Sequence, residues 1–303
     1  MLSILIPTYN TDCLSLIQAL YRQCEDLRGK DCSFLYEMIV VDDCSPRKEI
    51  VSILQKGVSE LGTESVRLYV LSHNLRHAAV RNFLLKEAKG EWILFVDSDA
   101  EVMSPLFIDS YWNHRFKSDI IIGGIAHPTQ TPPGHELRLV YERKYAYKRD
   151  VTWRRMHPYA IFSVFNIFAR ASVISNYGFD ESCREYGYED YLLGVALEQD
   201  GIAILHIDNP LMHLGIDTSE DFLKKTETAM ITLSGLPMEM RDKITLVSYA
   251  NTLNRLRLGG PLVWLIKPFE KILRKNLLSA HPSMFLFQLY KLYFYLKRVI
   301  LKE

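Results

Sequence analysis

The sharpest chemical signal in this sequence of 303 residues is the tripeptide Asp97-Ser98-Asp99, which directly follows the apolar run Trp92–Val96. Side chains two positions apart on an extended backbone project to the same side, so both carboxylates are expected to face one ligand. Mg²⁺ and Mn²⁺ often take one or two protein carboxylates and complete their shell with substrate phosphates and water. The pattern predicts a divalent metal at Asp97 and Asp99, with Ser98 beside the bound nucleotide, where the metal would neutralise charge on a departing diphosphate. Solvated turn aspartates are the alternative.

Asp97 follows the last of four short apolar runs, each of which ends abruptly in polar residues. The runs are Leu2-Ser-Ile-Leu-Ile6, Met38-Ile-Val-Val41, Val66-Arg-Leu-Tyr-Val-Leu71 and Trp92-Ile-Leu-Phe-Val96. Continuous β-rich runs are typical of strands buried on both faces of a parallel sheet. The linking segments carry helical apolar stripes, which predicts a doubly wound α/β fold. Ligands of such sheets bind beyond the carboxyl ends of the strands, so the polar tips are expected to converge on one cleft.

The tips of the first two runs carry candidate nucleotide contacts. A carboxylate at Asp42 or Asp43 can accept a hydrogen bond from a base imide or a ribose hydroxyl, although capping of the next helix by Asp43 or Ser45 explains the same residues. Tyr9 and Asn10 form either a loop that wraps the base or a simple turn with a helix cap.

Arg81 and Asn82 lie early in a helix whose entry carries Asn74. A cation there could contact a diphosphate, and a solvated helix face is the alternative.

Glu189 and Asp190 follow a glycine at an expected helix start. Carboxylates are favoured at a helix N-terminus, which would keep them ionised, so capping alone accounts for them. The functional interpretation is a general base that takes the proton of an attacking hydroxyl. His213 follows an Asn-Pro turn and is either a loop histidine or a third metal ligand through its imidazole.

Composition constrains the cellular setting rather than the chemistry. Formal net charge is zero, and no basic surface interleaved with stacking aromatics suggests nucleic-acid binding. The five cysteines, Cys183 among them, include no C-x-x-C pair, which is typical of a reducing cytosol. We expect no signal peptide and no transmembrane helix.

The C-terminal part differs from the rest in charge and pattern. From Gly259 onward there are eight basic and two acidic residues, against 28 basic and 34 acidic residues before it. Segments 264–278 and 284–301 are both amphipathic and rich in aromatic residues. The second carries a narrow polar stripe, which consists of Gln288, Lys291, Tyr295, Arg298 and Lys302. Such helices favour the interface of an anionic membrane, so the expected location is cytoplasmic and peripheral on the inner face of the cell membrane. Packing on the catalytic domain or a dimer partner is the alternative.

In the order of its motifs, the sequence resembles the family 2 glycosyltransferases of the GT-A fold over Leu2 to about Leu214. The motifs that carry the resemblance are Ile6-Pro-Thr-Tyr-Asn10, Val41-Asp-Asp-Cys-Ser45, Arg81-Asn82, Phe95-Val-Asp-Ser-Asp99, Gly178-Phe-Asp-Glu181, Tyr188-Glu-Asp190 and His213. The resemblance implies a nucleotide-diphospho-sugar donor, most often linked to UDP, a Mn²⁺ or Mg²⁺ cofactor, and a single displacement that inverts the anomeric carbon.

Carried over position by position, the resemblance implies that Pro7, Tyr9 and Asp43 hold the nucleotide and that Asp42 supports the same pocket. Asn166 occupies a position where family members contact the sugar.

The resemblance also implies roles in metal binding and catalysis. Asp99, together with Asp97, would meet the metal, and His213 would complete the metal site. Asp190 would act as the base, with Glu189 beside it.

Two departures from the family pattern concern the loops. Many members have a glycine where this chain has Arg76. Residues 127–156 carry no usable family pattern but are rich in Lys and Arg, including Arg154 and Arg155. This is where acceptor selection is expected, so the acceptor could be a phosphate-bearing glycan or lipid-linked saccharide, or the charges could simply form a solvated helix face.

The predicted organisation is a GT-A domain over residues 1–215, with a nucleotide-binding half (1–100) and an acceptor half (101–215). A helical, membrane-associating region follows over residues 216–303. After the fourth strand the alternation loosens, and further strands are expected at 119–125, 160–169 and 202–207. Two other functions remain open: a haloacid-dehalogenase-type phosphatase, which also has a strand ending in D-x-D, and a non-catalytic nucleotide-sugar-binding or membrane scaffold protein.

Overall fold

Residues 1–182 and 187–301 are described by the computed structural model, without the side chain of Leu301. Cys183 and Lys302, both named above, lie outside the described residues.

The strands, in chain order, are β1 (Leu2–Thr8), β2 (Tyr36–Asp42), β3 (Val66–Val70), β4 (Trp92–Val96), β5 (Ala100–Val102), β6 (Ile120–Ile122), β7 (Ile125–Ala126), β8 (Asn166–Arg170), β9 (Ile204–His206) and β10 (Leu211–His213). The helices are α1 (Leu14–Lys30), α2 (Lys48–Glu60), α3 (Arg76–Glu87), α4 (Phe107–His114), α5 (Glu136–Tyr145), α6 (Val151–Met156), α7 (Ala171–Tyr177), α8 (Glu189–Gln199), α9 (Ser219–Gly235), α10 (Met238–Arg241), α11 (Thr245–Arg255), α12 (Gly259–Ile266), α13 (Glu270–Leu277) and α14 (Met284–Leu301).

The described residues form two compact units. The first comprises residues 1–128, 147–182 and 189–215, and the second comprises residues 129–146, 187–188 and 216–301. Residues 129–146 are predicted from sequence to belong to the acceptor half, whereas the structure groups them, including α5, with the C-terminal helices.

The first unit is built on a seven-stranded sheet with the order β3-β2-β1-β4-β8-β6-β9. β1, β2, β3 and β4 pair in parallel, and β8 runs antiparallel to both β4 and β6. A second, three-stranded sheet joins β5, β10 and β7. The α/β class, the mostly parallel sheet and the helical C-terminal part predicted from sequence are therefore confirmed.

Successive side chains of the central strands enter two different cores. In β1, Ile4 and Ile6 pack in one core and Leu5 packs in the other, and all three are fully buried. Helices α1, α2 and α4 cover the first core, and α3, α7 and α8 cover the second. Each fully buried aliphatic side chain contributes roughly 1.5–3 kcal/mol. This two-sided burial is why the strands read as continuous apolar runs.

The later strands are shorter than the sequence predicts. The expected strand at 119–125 is divided into β6 and β7, the expected strand at 160–169 begins only at Asn166, and β9 covers three residues. Short strands near a sheet edge carry too few residues for a clear pattern.

The second unit is a helical assembly around its own core. α14 is its central helix, because Phe287, Tyr290, Tyr293 and Leu296 are all at most 1% exposed. Tyr295, which the sequence analysis places in a polar stripe, is only 2% exposed. The predicted polar stripe of α14 is therefore not a solvent-exposed face, because the helix packs into the core of this unit. Membrane association of the C-terminal region stays a prediction.

Candidate functional site

A buried guanidinium lies at the centre of the candidate site. Arg81, on α3, is 5% exposed, and its Nη2 donates to Asp97 Oδ1 at 3.0 Å. Its Nη1 lies 3.6 Å from Asp190 Oδ1 and 3.7 Å from Glu189 Oε1. One cation thus faces three carboxylates that come from the tip of β4 and the start of α8, which leaves the cluster with excess negative charge when all are ionised.

Burial and neighbouring charges set the proton affinities of this cluster. Burial disfavours the charged form of Arg81, but the charges of Asp97, Asp190 and Glu189 outweigh it and hold the Arg81 pKa above its usual range. Burial raises the pKa of Asp190 to about 6, against the lowering by Arg81 and with further raising by Glu189 and Asp97. Asp190 is therefore ionised near neutral pH but titrates much closer to it than an exposed aspartate.

The segment that precedes β8 fixes both Asp190 and the β4 tip. The Val164 amide donates to Asp190 Oδ2 at 3.0 Å, and the next residue, Phe165, accepts the Asp97 amide at 3.2 Å. Asp190 Oδ1 is buried and has no hydrogen-bond partner among the described residues. One carboxylate oxygen is thus held in place by the backbone, and the other faces Arg81 Nη1 at 3.6 Å.

Asp99 and His213 form a second pair of potential ligands. Antiparallel pairing of β5 with β10 places His213 opposite Ala100, and His213 Nε2 lies 3.0 Å from Asp99 Oδ2. A Cβ atom on Gly215 would lie 2.0 Å from the same oxygen, so only glycine leaves room for this carboxylate. The described residues contain no group of three or more metal-ligating side chains. A carboxylate and an imidazole fit a divalent cation whose remaining ligands come from substrate oxygens and water.

The backbone at the D-x-D tripeptide is a turn, not an extended strand. The Ala100 amide donates to Asp97 O at 3.1 Å, and Ser98 and Asp99 are turn residues. Asp97 consequently points to Arg81 while Asp99 points to His213. The expectation that both carboxylates face one side is wrong, because the turn redirects them. Metal binding by Asp97 stays a prediction, as does nucleotide contact by the half-buried Ser98.

Asp42 shapes the loops at the tips of β1 and β2. It is 1% exposed and accepts hydrogen bonds from the Ser45 amide, at 3.0 Å, and from the Ser45 hydroxyl. The Ser45 oxygen in turn accepts the Asn10 amide at 2.8 Å. Asn10 itself has a left-handed φ of 54°. Asp42 and Asn10 therefore support the shape of the predicted nucleotide pocket.

Asp43 caps α3 from a neighbouring loop. Its carboxylate accepts the amides of Leu75, at 2.6 Å, and Arg76, at 2.9 Å, and its main-chain oxygen accepts Asn74 Nδ2. The capping alternative is thus observed, but for α3 rather than for the helix that follows Asp43. Arg76 has a φ of 71°, a conformation that glycine adopts without strain, which accounts for the glycine of other members.

The other residues predicted to contact the donor are partly or largely exposed, or are hydrogen-bonded within the protein. Tyr9 is 49% exposed after β1, and Pro7 is half-buried within that strand. Asn82 exchanges hydrogen bonds with the Phe179 amide and carbonyl and donates to Glu181 Oε1 at 2.8 Å. Asn82 therefore ties the Arg-Asn motif to the Gly-Phe-Asp-Glu motif, and its contact with a donor stays a prediction.

Asn166 is committed to the interior of the first unit. It is 1% exposed, its Nδ2 donates to the carbonyls of Gly124 and Asn209, and its Oδ1 accepts the Tyr111 hydroxyl at 2.6 Å. Both of its amide hydrogens are used within the unit, so the side chain has a structural role here, and the expected sugar contact stays a prediction.

Arg154 is also structural rather than a solvated charge. It is 8% exposed, and its guanidinium donates to the main-chain carbonyls of Ile122, Gly123 and Ile207. Arg155, in contrast, is exposed and donates to one carbonyl, that of His206. Replacing Arg154 would leave several buried acceptors unpaired, at about 1–3 kcal/mol each, so it is unsuitable for testing acceptor binding.

Sequence reasoning missed two residues that shape the site. Val164 acts through its amide and so leaves no side-chain signal. Gly215, two residues after His213, is detectable only as a small residue next to a predicted ligand.

The second unit presents an exposed apolar and basic surface on α12, the following turn and α13. Its apolar members are Trp264, Leu265, Phe269 and Ile272, with exposures of 79%, 58%, 51% and 64%. Its basic members, Lys267, Lys271 and Lys275, are exposed as well. Arg274, which the sequence analysis groups with them, instead binds Glu227 and Tyr290 within the unit. Among the described residues, every helix falls short of the length and apolar character needed to cross a bilayer.

The carboxylate–imidazole pair and the acidic cluster lie at the carboxyl edge of a doubly wound sheet, where ligands of such α/β folds bind. This arrangement is typical of the GT-A type. The family model of Glycosyl transferase family 2 matches residues 3–170, more than half of the chain, and the chain belongs to this family. The membership confirms the resemblance seen in the motifs and leaves no support for the phosphatase alternative.

Individual known proteins are also similar to this chain, in sequence over part of its length or in fold. Poly(ribitol-phosphate) beta-N-acetylglucosaminyltransferase TarS of Staphylococcus aureus is 34% identical over 99 residues, which cover 32% of this chain and 16% of that protein. The structure of S. aureus TarS 1–349 in complex with UDP-GlcNAc gives a TM-score of 0.51 at 18% identity, covering 98% of this chain and 90% of the other. Mannosyltransferase PcManGT from Pyrobaculum calidifontis, in complex with GDP-Man and Mn²⁺, gives 0.58 at 14% identity, covering 100% and 88%. At these identities the structures establish the fold.

Proposed function

We propose that this chain transfers a glycosyl group from a nucleotide-diphospho-sugar, UDP-linked by preference, to a hydroxyl of a glycan or lipid-linked saccharide, with inversion at the anomeric carbon. The observation that carries the proposal is the Arg81 cluster, because it brings the D-x-D turn and the Glu189-Asp190 pair together at one edge of the sheet. The UDP-GlcNAc and GDP-Man complexes of the structural neighbours support a nucleotide-sugar donor.

In this proposal Asp190 is the general base. Its Oδ2 is fixed by the Val164 amide and its Oδ1 faces Arg81, and the carboxylate accepts the proton of the acceptor hydroxyl as that hydroxyl attacks the anomeric carbon. Glu189 and Asp97 raise the basicity of this carboxylate, and Arg81 orients it. Arg81 is buried among these carboxylates, so we assign it to positioning them, and direct contact with the donor diphosphate stays a prediction.

Asp99 and His213 are the residues that would hold Mn²⁺ or Mg²⁺, and the glycine at 215 keeps the space that the Asp99 carboxylate requires. When bound, a divalent metal supplies electrostatic stabilisation to the leaving diphosphate. The tips of β1 and β2, with exposed Tyr9, provide the proposed nucleotide pocket.

Replacing Asp190 by Asn should abolish the base and spare the fold, since an amide oxygen can still accept the Val164 amide. We expect release of the nucleotide from the donor to fall about 10²- to 10⁴-fold, while UDP still raises the melting temperature. In the unmodified protein kcat/KM should fall as pH drops through about 6, because Asp190 becomes protonated there. Asp200→Asn is the control, because its exposed carboxylate accepts the Tyr177 hydroxyl and takes no part in the Arg81 cluster.

Full activity of Asp190→Asn, or a rate independent of pH between 5 and 7, would contradict the assignment of the base. Donor binding by the unmodified protein with neither transfer nor donor hydrolysis would favour the non-catalytic alternative instead.

Metal binding is tested by thermal unfolding with UDP and Mn²⁺. A ligand that binds only the folded state stabilises it by about 2.7 kcal/mol at 100 times its dissociation constant. We expect Mn²⁺ to raise the melting temperature of the unmodified protein and of the control His73→Ala, whose histidine is exposed. Asp99→Asn and His213→Ala should lose this increase, and an undiminished increase in both would refute the site.

We also propose that the α12–α13 surface rests on an anionic membrane, as expected for a peripheral protein on the inner face of the cell membrane. Exposed aromatic side chains next to lysines match the chemistry of such an interface. The acidic residue of this segment, Glu270, is directed to Tyr293 and Lys297 within the unit, so the exposed lysines dominate the local charge.

Trp264 offers a direct readout, because Trp92, Trp112 and Trp153 are all buried or half-buried. Vesicles containing phosphatidylglycerol should shift its emission to shorter wavelength, and vesicles of phosphatidylcholine alone should not. The double variant Trp264→Ala/Phe269→Ala should no longer sediment with anionic vesicles. The control Phe116→Ala should still sediment with them, because Phe116 is similarly exposed but lies in the first unit. Sedimentation of the double variant at the unmodified level would exclude this surface.

A further inference from the structure

A cavity in the first unit combines basic and apolar residues. Residues Lys148, Arg149 and Arg154 supply positive charge, Ile125 and Ile161 supply apolar walls, and Ser163 supplies a hydroxyl. The lining contains no carboxylate among the described residues. Such a combination suits an anion attached to an uncharged group.

The positive charge of Arg154 has no acidic counterpart in its hydrogen-bond shell. Its Nε donates to Arg149 O at 3.0 Å, and its two terminal nitrogens donate to main-chain carbonyls and to His206 Nδ1. His206 accepts at Nδ1 and donates from Nε2 to Pro158 O at 2.9 Å, so it is neutral. Burial lowers its pKa to about 4, which keeps it neutral at physiological pH. The guanidinium therefore contributes positive charge to the cavity, which the carboxylates of Asp208 and Asp150 offset from outside its hydrogen-bond shell.

One residue that lines the cavity precedes, in the chain, the residue that binds the proposed base. Ser163 lines it, and the following residue, Val164, donates its amide to Asp190 Oδ2. The cavity lining is thus continuous in the chain with the residue that fixes the proposed base. The cavity also lies on the segments 147–166 and 122–125, which are distinct from the donor-side tips of β1 and β2.

We infer that this cavity binds a phosphate group of the acceptor, so that the enzyme uses a phosphorylated acceptor, an assignment that rests on the proposed glycosyl transfer. Lys148 and the Ser163 hydroxyl provide the donors, together with Arg149, and buried Arg154 provides the field. The apolar wall of Ile125 and Ile161 contacts the carbon skeleton next to the phosphate. The phosphate can belong to a soluble ester or to a lipid.

The test uses inorganic phosphate as the probe and saturating UDP to occupy the donor site. Phosphate should raise the melting temperature of the unmodified full chain above that in chloride of equal ionic strength. Lys148→Gln and Arg149→Gln, made separately, should each weaken phosphate binding at least about tenfold, the loss of one charge-assisted contact. Lys56→Gln, whose side chain is 81% exposed on α2, is the matched control.

The outcomes separate this site from the donor site. Retention of the UDP-induced increase in each variant shows that the fold and the donor site are intact, whereas its absence in the unmodified protein would count against the proposed function itself. Absence of any phosphate effect, or an equal effect in both variants and the unmodified protein, would overturn the phosphate site. Glycerol 3-phosphate and a short-chain phosphatidic acid then identify the source, because the better ligand shows whether the phosphate is soluble or lipid-borne.

Discussion

A single buried charge, the Arg81 guanidinium, holds the chemical groups of this site together. An isolated buried cation is expensive, and removing one partner of a buried ion pair typically costs about 3–5 kcal/mol. Asp97, Glu189 and Asp190 therefore have to be delivered to it by the fold, from the end of β4 and the start of α8. The same requirement keeps the proposed base close to the D-x-D turn, although the two lie more than ninety residues apart in the sequence.

Helix α3 makes hydrogen bonds to residues of several motifs. Asp43 caps its first turn from the β2 tip, Arg81 projects into the carboxylate cluster, and Asn82 binds the loop that contains Phe179. Several motif residues thus act on protein groups rather than directly on a ligand. One helix thus contacts both the proposed donor side and the proposed base, and a helix is a more precise support for a site than a loop.

The strands that could be predicted from the sequence are those whose two faces are both buried. β1 to β4 are continuous apolar runs because both faces are covered. Hydrogen bonds join the residues that follow β1, β2 and β3, and Arg81 binds Asp97 after β4. The antiparallel direction of β8 could not be predicted from its apolar residues. The directions of Asp97 and Asp99 could not be predicted either, since a turn redirects side chains without any change of composition. The sugar contact of Asn166 is implied by the family resemblance, and the interest of Arg154 comes from the basic composition of residues 127–156. Neither signal reveals that these side chains are buried and donate to main-chain carbonyls. α14 was misjudged for a related reason, because tyrosines and a lysine that pack inside a helical core produce the same polar stripe as a surface helix.

The most direct measurement of the central interaction is the pH dependence of donor turnover in Arg81→Met, with Arg81→Lys as the charge-retaining control. Arg81 lowers the pKa of Asp190, while Glu189 and Asp97 raise it. Without the guanidinium, we expect the acidic limb of the profile to move from about 6 to higher pH in Arg81→Met and to stay closer to 6 in Arg81→Lys. An acidic limb that is unchanged, or that moves to lower pH, would contradict the role of Arg81 as the charge that organises the site.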